Sequence, residues 1–222
     1  MKTHPQRRDR NLKRSNSQRG YTLVEFVVTA IILTTIAAMA IFQLRPTWQD
    51  QQANAAMDQV KATLRQARET AIGQRRSIVV KFVAAGGTGC PMGSNINECI
   101  ELYQMVVSGS PAVATQATSP FLTIPMQANT LFGTVSGETD TPDAFGLPSS
   151  GGIYFGGQSG GPGTGMLFQS NGTFTDGSGN PINGTVFISV SNINNSARAI
   201  TVLGYTGRIR AWKNSTQGWF QS

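Results

Sequence analysis

The sequence predicts an α+β fold in which one long N-terminal helix packs on antiparallel β-sheets, and three observations predict it. An apolar run carrying a single charge follows a basic N-terminal arm. A stripe of apolar residues at helical spacing comes next. From residue 74 onward, short β-rich segments alternate with Gly, Pro, Ser and Asn, and no second helical pattern occurs.

A chain of 222 residues with 39% hydrophobic content can build one soluble domain plus an appendage. Its formal net charge of +7 is unevenly spread. Residues 1–20 hold seven basic residues (Lys2, Arg7, Arg8, Arg10, Lys13, Arg14, Arg19) against one acidic one. Residues 82–176 carry six acidic groups and no basic ones, whereas 177–222 carry four basic groups and no acidic ones. Such asymmetry can steer a polyanion toward one face.

The first element is Tyr21 to Leu44, 24 residues with one charge, Glu25. As a helix it is about 36 Å long, enough to cross a hydrocarbon core of about 30 Å once. The basic arm before it stays cytoplasmic by the positive-inside rule, which leaves the body of the chain on the outer side. A secretory signal has a shorter apolar region followed by small residues, but here the small residue, Gly20, precedes the run.

That order, in "RGYTLVEFVVTAIIL", resembles the class III signal of type IV pilins and type II secretion pseudopilins. The resemblance implies a pilin-like fold and cleavage after Gly20 by prepilin peptidase, with N-methylation at the new terminus, Tyr21. It also implies that Glu25 neutralises the N-terminal ammonium of a neighbouring subunit as helices pack into a filament. The plainer account of Glu25 is an acid that snorkels to the membrane surface from one turn inside the span.

Beyond Arg45-Pro46, the residues Met57, Val60, Leu64, Ala67 and Ala71 recur at steps of three and four, the stripe of an amphipathic helix. One helix from about Tyr21 to Ile72 is expected, kinked near Pro46 and ended near Gly73. The chain then divides into a cleaved leader (1–20), a transmembrane and assembly half of the helix (21–45), its amphipathic half (46–73) and a β-rich periplasmic domain (74–222).

Nine strands are expected in that domain, in "SIVVKFVA", "IELYQMVV", "FLTI", "TLFGTV", "GIYF", "GMLFQ", "TVFISVSN", "RAITVLGY" and "RIRAW". Residues 84–99, 136–152 and 156–165 read as connectors, the latter two as mobile surface loops rich in Gly, Pro and Ser. Cys90 and Cys99 lie too far apart for a redox or zinc pair. In an oxidising compartment they would close a disulfide, and in a cytosolic chain they would be free thiols.

The C-terminal half, "GMLFQSNGTFTDGSGNPINGTVFISVSNINNSARAITVLGYTGRIRAW", is similar to the GspH/FimT group of minor pilins and pseudopilins. DNA-uptake members of that group have a Gly-Arg-x-Arg tail that resembles Gly207, Arg208 and Arg210. On a strand the two arginines project from one face about 6.6 Å apart, a spacing suited to adjacent phosphates. Lys213 lies just beyond, with Trp212 and Trp219 available for base stacking. Against this stands a structural account: edge-strand charges that discourage aggregation, and a Trp212 that caps the core.

The resemblance implies a structural subunit of a type II secretion system or type IV pilus, in a short periplasmic filament or at its tip. Its partners would be prepilin peptidase, other pilin or pseudopilin subunits, the inner-membrane assembly platform and membrane lipid. The rival reading adds DNA. An enzyme is the poorest reading, since the single histidine, His4, lies in the leader and no nucleophile-elbow or phosphate-loop pattern occurs. No cofactor or metal is expected.

Overall fold

The computed structural model describes residues 22–83, 90, 98–108, 113–148, 151–156, 158–160, 165–190, 193 and 196–222. It divides into two compact units, Met1–Leu44 and Arg45–Ser222. The fold is α+β: one helix, α1 (Leu23–Gln74), then antiparallel strands. The kink expected near Pro46 falls among residues 41–46, whose side chains lie outside the described residues.

In the first unit, α1 is apolar on all sides, and none of the window Leu23–Ala40, of mean hydropathy 2.2, is buried. That helix is long and apolar enough to cross a membrane. Its threonines answer their own hydroxyls: Thr29 donates to the Phe26 carbonyl at 2.9 Å, and Thr35 to that of Ile32 at 2.8 Å.

The second unit begins with the amphipathic part of α1. Met57, Val60, Leu64, Ala67 and Ala71 are all buried, as the stripe predicts, and Ala53 and Ala56 join them. The helix ends at Gln74, beside the expected Gly73, and Arg75 adopts a positive φ of 52° just after it.

Thirteen strands follow among the described residues. One sheet contains β1 (Ile78–Val83), β2 (Cys99–Ser108), β3 (Val113–Gln116), β4 (Leu122–Pro125), β8 (Gly165–Phe168) and β9 (Phe174–Thr175). Its order is β3-β2-β1-β8-β9, with β4 also on β2. The other contains β5 (Thr130–Phe132), β6 (Ile153–Phe155), β7 (Gln158–Gly160), β10 (Gly184–Val190), β11 (Arg198–Leu203), β12 (Arg208–Ser215) and β13 (Gly218–Gln221). Its order is β13-β12-β11-β10-β6-β7, with β5 on β10. All nine expected runs form strands; β3, β7, β9 and β13 are additional, and β7 lies in a stretch read as a connector.

The main core lies where the helix stripe meets the inner faces of both sheets. Phe82 of β1 meets Phe132 of β5 edge to face at 5.0 Å and Phe155 of β6 at 6.3 Å, and Phe155 meets Phe174 of β9 at 5.7 Å, so aromatic contacts join the sheets. A second, smaller cluster of Phe187, Ala199, Trp212 and Trp219 covers the outer face of the second sheet. Strand β10, buried at every position, therefore has apolar neighbours on both faces.

The connector 136–152 is a correction to the expected mobile loop. Its described part lies over that outer face: Thr141 is buried, and Asp143 binds both Arg210, at 2.6 Å, and Thr201, at 2.6 Å. The Trp219 indole donates to the Thr139 carbonyl at 3.0 Å. Here Gly and Pro shape a strap that polar anchors hold down.

The helix is fixed to the second sheet by a buried charge. Arg198 has no exposed surface; its guanidinium binds Asp50 and donates to Asn54 at 2.8 Å and to the Ala197 carbonyl at 2.9 Å. Lys213, the cross-strand neighbour of Arg198, reaches the other oxygen of Asp50 at 2.8 Å. Burial pushes the Asp50 carboxyl up, but Lys213 and Arg198 outweigh it and hold the carboxyl below its ordinary range. Removing Asp50 strands a buried cation. We expect Asp50→Ala to cost about 2–3 kcal/mol, below the fully buried range because Asp50 is partly exposed, and Lys213→Ala under about 1 kcal/mol. Urea unfolding of a fragment starting at Arg45 checks this order; equal costs would remove Arg198 as the controlling partner.

Candidate functional site

Two regions carry the residues picked out by the sequence: the head of α1 and the strand β12. Gly20 and Tyr21 lie outside the described residues. Glu25 is exposed in the first turn of α1, and its backbone N–H donates to the Thr22 hydroxyl at 3.3 Å. Thr22 and Glu25 thus have the spacing of a capping box, in which a hydroxyl satisfies an orphan N–H of the first turn. The acid also lies at the positive end of the helix dipole. The T-x-x-E spacing was a legible signal for this cap, and the sequence reading passed over it.

In the second region, "TGRIRAWK" divides its residues among separate tasks. Gly207 forms the turn between β11 and β12 with φ of 61°, and a Cβ there would lie 2.1 Å from the Gly172 carbonyl oxygen. Only glycine fits that approach, so its place in the motif has a steric cause. Arg68 of α1 ties the same two turns together, donating to Gly172 at 3.2 Å and to Thr206 at 3.0 Å.

Arg208 and Arg210 do share a side of β12, but they are not equivalent. Arg208 is exposed, and its guanidinium has no bonded partner among the described residues. Arg210 is held by Asp143 on the strap. Lys213 has the opposite parity and faces Asp50 on the helix. It therefore does not extend the arginine pair along one face.

Trp212 overturns the stacking expectation. It is only 7% exposed, packs in the outer cluster, and donates its indole N–H to Thr201 at 3.0 Å. Trp219 is half-buried against Phe187, with ring centroids 6.1 Å apart. These rings complete a core.

Cys90 and Cys99 are joined by a disulfide, which ties residue 90 to the start of β2. Next to it, Glu98 is nearly buried and accepts the Phe132 N–H, linking the start of β2 to β5 of the other sheet. Burial pushes the Glu98 carboxyl up to about 7, with the Phe132 N–H opposing it. Glu138 in the strap is likewise raised to about 7 by burial, against the Val135 N–H. Among the described residues, no group of His, Cys, Asp and Glu is placed to hold a metal ion.

Sequence reasoning missed a second basic group. Arg65 and Arg68 of α1 meet Arg208 around a pocket of about 440 Å³, which Glu69, Leu203 and Ile209 also line. Arg65 and Arg68 are neighbours on one helix face, a spacing visible in the sequence. Their meeting with Arg208 is a tertiary fact.

Comparison with known families addresses the other end of the chain. Residues 15–41 match the model described as the prokaryotic N-terminal methylation motif. The chain carries a prepilin-type N-terminus. The matched segment contains Gly20, Tyr21 and Glu25. No curated protein matches the sequence.

Among solved structures, the chain is similar to the type IV minor pilin FimU of Pseudomonas aeruginosa strain PAO1 at 16% identity and a TM-score of 0.41. That match covers 76% of this chain and 98% of FimU. A second crystal form of FimU gives a TM-score of 0.43 at 16% identity, covering 78% and 95%. The minor pseudopilin EpsH from the type 2 secretion system of Vibrio cholerae gives 0.40 at 12% identity, covering 72% and 95%.

The raised carboxyls predict a pH dependence. Both have an ordinary value of 4.5, so between that pH and about 7 the folded state holds protons that the unfolded chain has released. Stability therefore falls as pH rises through this window and levels off above it. No histidine follows His4, so imidazole titration does not obscure the window in the fragment from Arg45. Its Tm should be higher at pH 5 than at pH 8, and Glu98→Gln should flatten the slope. A Tm that rises over the same interval would show both carboxyls ionised in the fold.

Proposed function

We propose that this chain is a non-enzymatic structural subunit, a minor pilin or pseudopilin, of a type IV pilus or type II secretion system. The observation that carries the reading is the prepilin-type segment at the head of a helix whose apolar window has no cover among the described residues. A helix apolar on every side must be buried by something else. A bilayer buries it first, and the helices of neighbouring subunits bury it in a filament.

On this reading prepilin peptidase cuts after Gly20, Tyr21 becomes the methylated N-terminus, and Glu25 answers the ammonium of an adjacent subunit. The assembly platform of the inner membrane then extracts the subunit. The positive arm stays in the cytoplasm, and the unit from Arg45 onward is periplasmic on a single-pass anchor. The oxidising compartment suits the bonded Cys90 and Cys99.

DNA binding through the C-terminal strand is the second reading, and the free guanidinium of Arg208 is what supports it. Arg210, Lys213 and Trp212 are engaged elsewhere, which leaves one strand residue where successive phosphates need several. Binding of the Arg45–Ser222 fragment to DNA at two salt concentrations should be weak, and equal in wild type and Arg208→Ala plus Arg210→Ala. A steep salt dependence lost in the double variant would establish the DNA reading instead.

For the structural reading, mass spectrometry of protein from a host with prepilin peptidase should find methylated Tyr21 as the N-terminus. An intact Met1 terminus would overturn it. Glu25→Ala should leave the chain in the membrane yet lower its incorporation into filaments. An intramembrane charge costs about 2.5–3.5 kcal/mol; losing an interaction of that size lowers incorporation roughly fiftyfold or more. Normal incorporation would return Glu25 to capping alone.

A further inference from the structure

The pocket between α1 and the start of β12 has an electrostatic imbalance. Arg65, Arg68 and Arg208 line it with one carboxylate, Glu69, and none of the three arginines forms an ion pair among the described residues. Arg68 is fixed by its two carbonyl acceptors, Gly172 and Thr206, so the rest of its fork is preorganised. Arg65 and Arg208 are exposed. Three cations lining one pocket favour an anion there.

We propose that this pocket receives a carboxylate side chain of a neighbouring subunit in the assembled filament, an inference that rests on the assembly reading above. Guanidinium forks match a carboxylate in two-point geometry. Leu203 and Ile209 supply an apolar wall for the stem of such a side chain. Beside the pocket, Tyr205 is 76% exposed on the same turn as Thr206, and Ile72 is 42% exposed near Gly172. Exposed Tyr beside Arg is the composition of a protein interface centre.

The same surroundings argue against a nucleic acid. A polyanion is held by a track of positive charges, but Arg210 and Lys213 are already paired with Asp143 and Asp50. The site provides for one oxyanion with an apolar stem, which is an acidic side chain.

The test uses the full chain in a host with prepilin peptidase and a pilin-type assembly apparatus. Benzoylphenylalanine replaces Tyr205 in one protein and Ile31, on the apolar helix, in another. Both positions should crosslink to pilin-type subunits, with the Tyr205 adduct mapping beside an Asp or Glu of the partner. Arg65→Glu with Arg208→Glu should cut that adduct by about tenfold or more and leave the Ile31 adduct unchanged. Reversing the charge of the partner's acid should restore it.

If Ile31 crosslinks but Tyr205 does not, or the Tyr205 adduct ignores charge reversal, the pocket proposal fails and the assembly reading stands. If neither position crosslinks, both fail. A Tyr205 adduct with nucleic acid alone overturns the proposal in favour of DNA.

Discussion

A fully buried guanidinium organises the domain. Arg198 lies on the inner face of β11 in the register that sets it opposite Lys213, and the acid that answers both is Asp50 on α1. An unanswered charge in that position costs about as much as truncating a large core side chain. Rotating the helix by one residue, about 100°, would carry Asp50 and Asn54 away from the guanidinium. The clamp therefore fixes which face of α1 meets the core, and the stripe from Ala53 to Ala71 falls where the two sheets converge. Alanines at four of these positions let the helix approach the strands closely.

The alternation of β12 explains why one short motif serves several purposes. Ile209 and Ala211 point to the main core, while Arg210 and Trp212 point to the outer face. Under the strap, Trp212 donates to Thr201, Thr201 donates to Asp143, and Asp143 accepts from Arg210. Trp212, Thr201, Asp143 and Arg210 each have a partner within this network, which is the condition for burying it at all. Arg208, at the strand's start, lies outside it and is the one member of "GRIR" whose side chain remains available.

What was legible in the sequence was what repeats. The helical stripe and the nine apolar strands have periods of their own, so each could be read locally. The four missed strands include "QSG", whose residues carry little β preference, and "VATQ", a run of only four residues, and each is paired with the strand before it. The strap was misread for a related reason: Asp143 meets Thr201 and Arg210 across 58 and 67 residues, and no local pattern announces that. The basic pocket also joins residues distant in sequence, Arg65 and Arg68 on α1 with Arg208 on β12, so no local pattern announces it.

The first part of α1 poses the opposite problem: its apolar pattern is plain in the sequence, and among the described residues nothing buries it. Its threonine hydroxyls are satisfied by the helix backbone, so they need nothing from outside. Glu25 is different. Its N–H is capped by Thr22, and the helix dipole favours a negative charge there, which explains why an acid is tolerated in the first turn. Neither effect supplies a donor to the carboxylate itself, and an alternative cap without a charge would cost less in a bilayer. On the proposed assembly route the missing donor is a cation brought by another molecule. On the proposed processing route, cleavage after Gly20 creates such a cation at the end of every neighbouring helix.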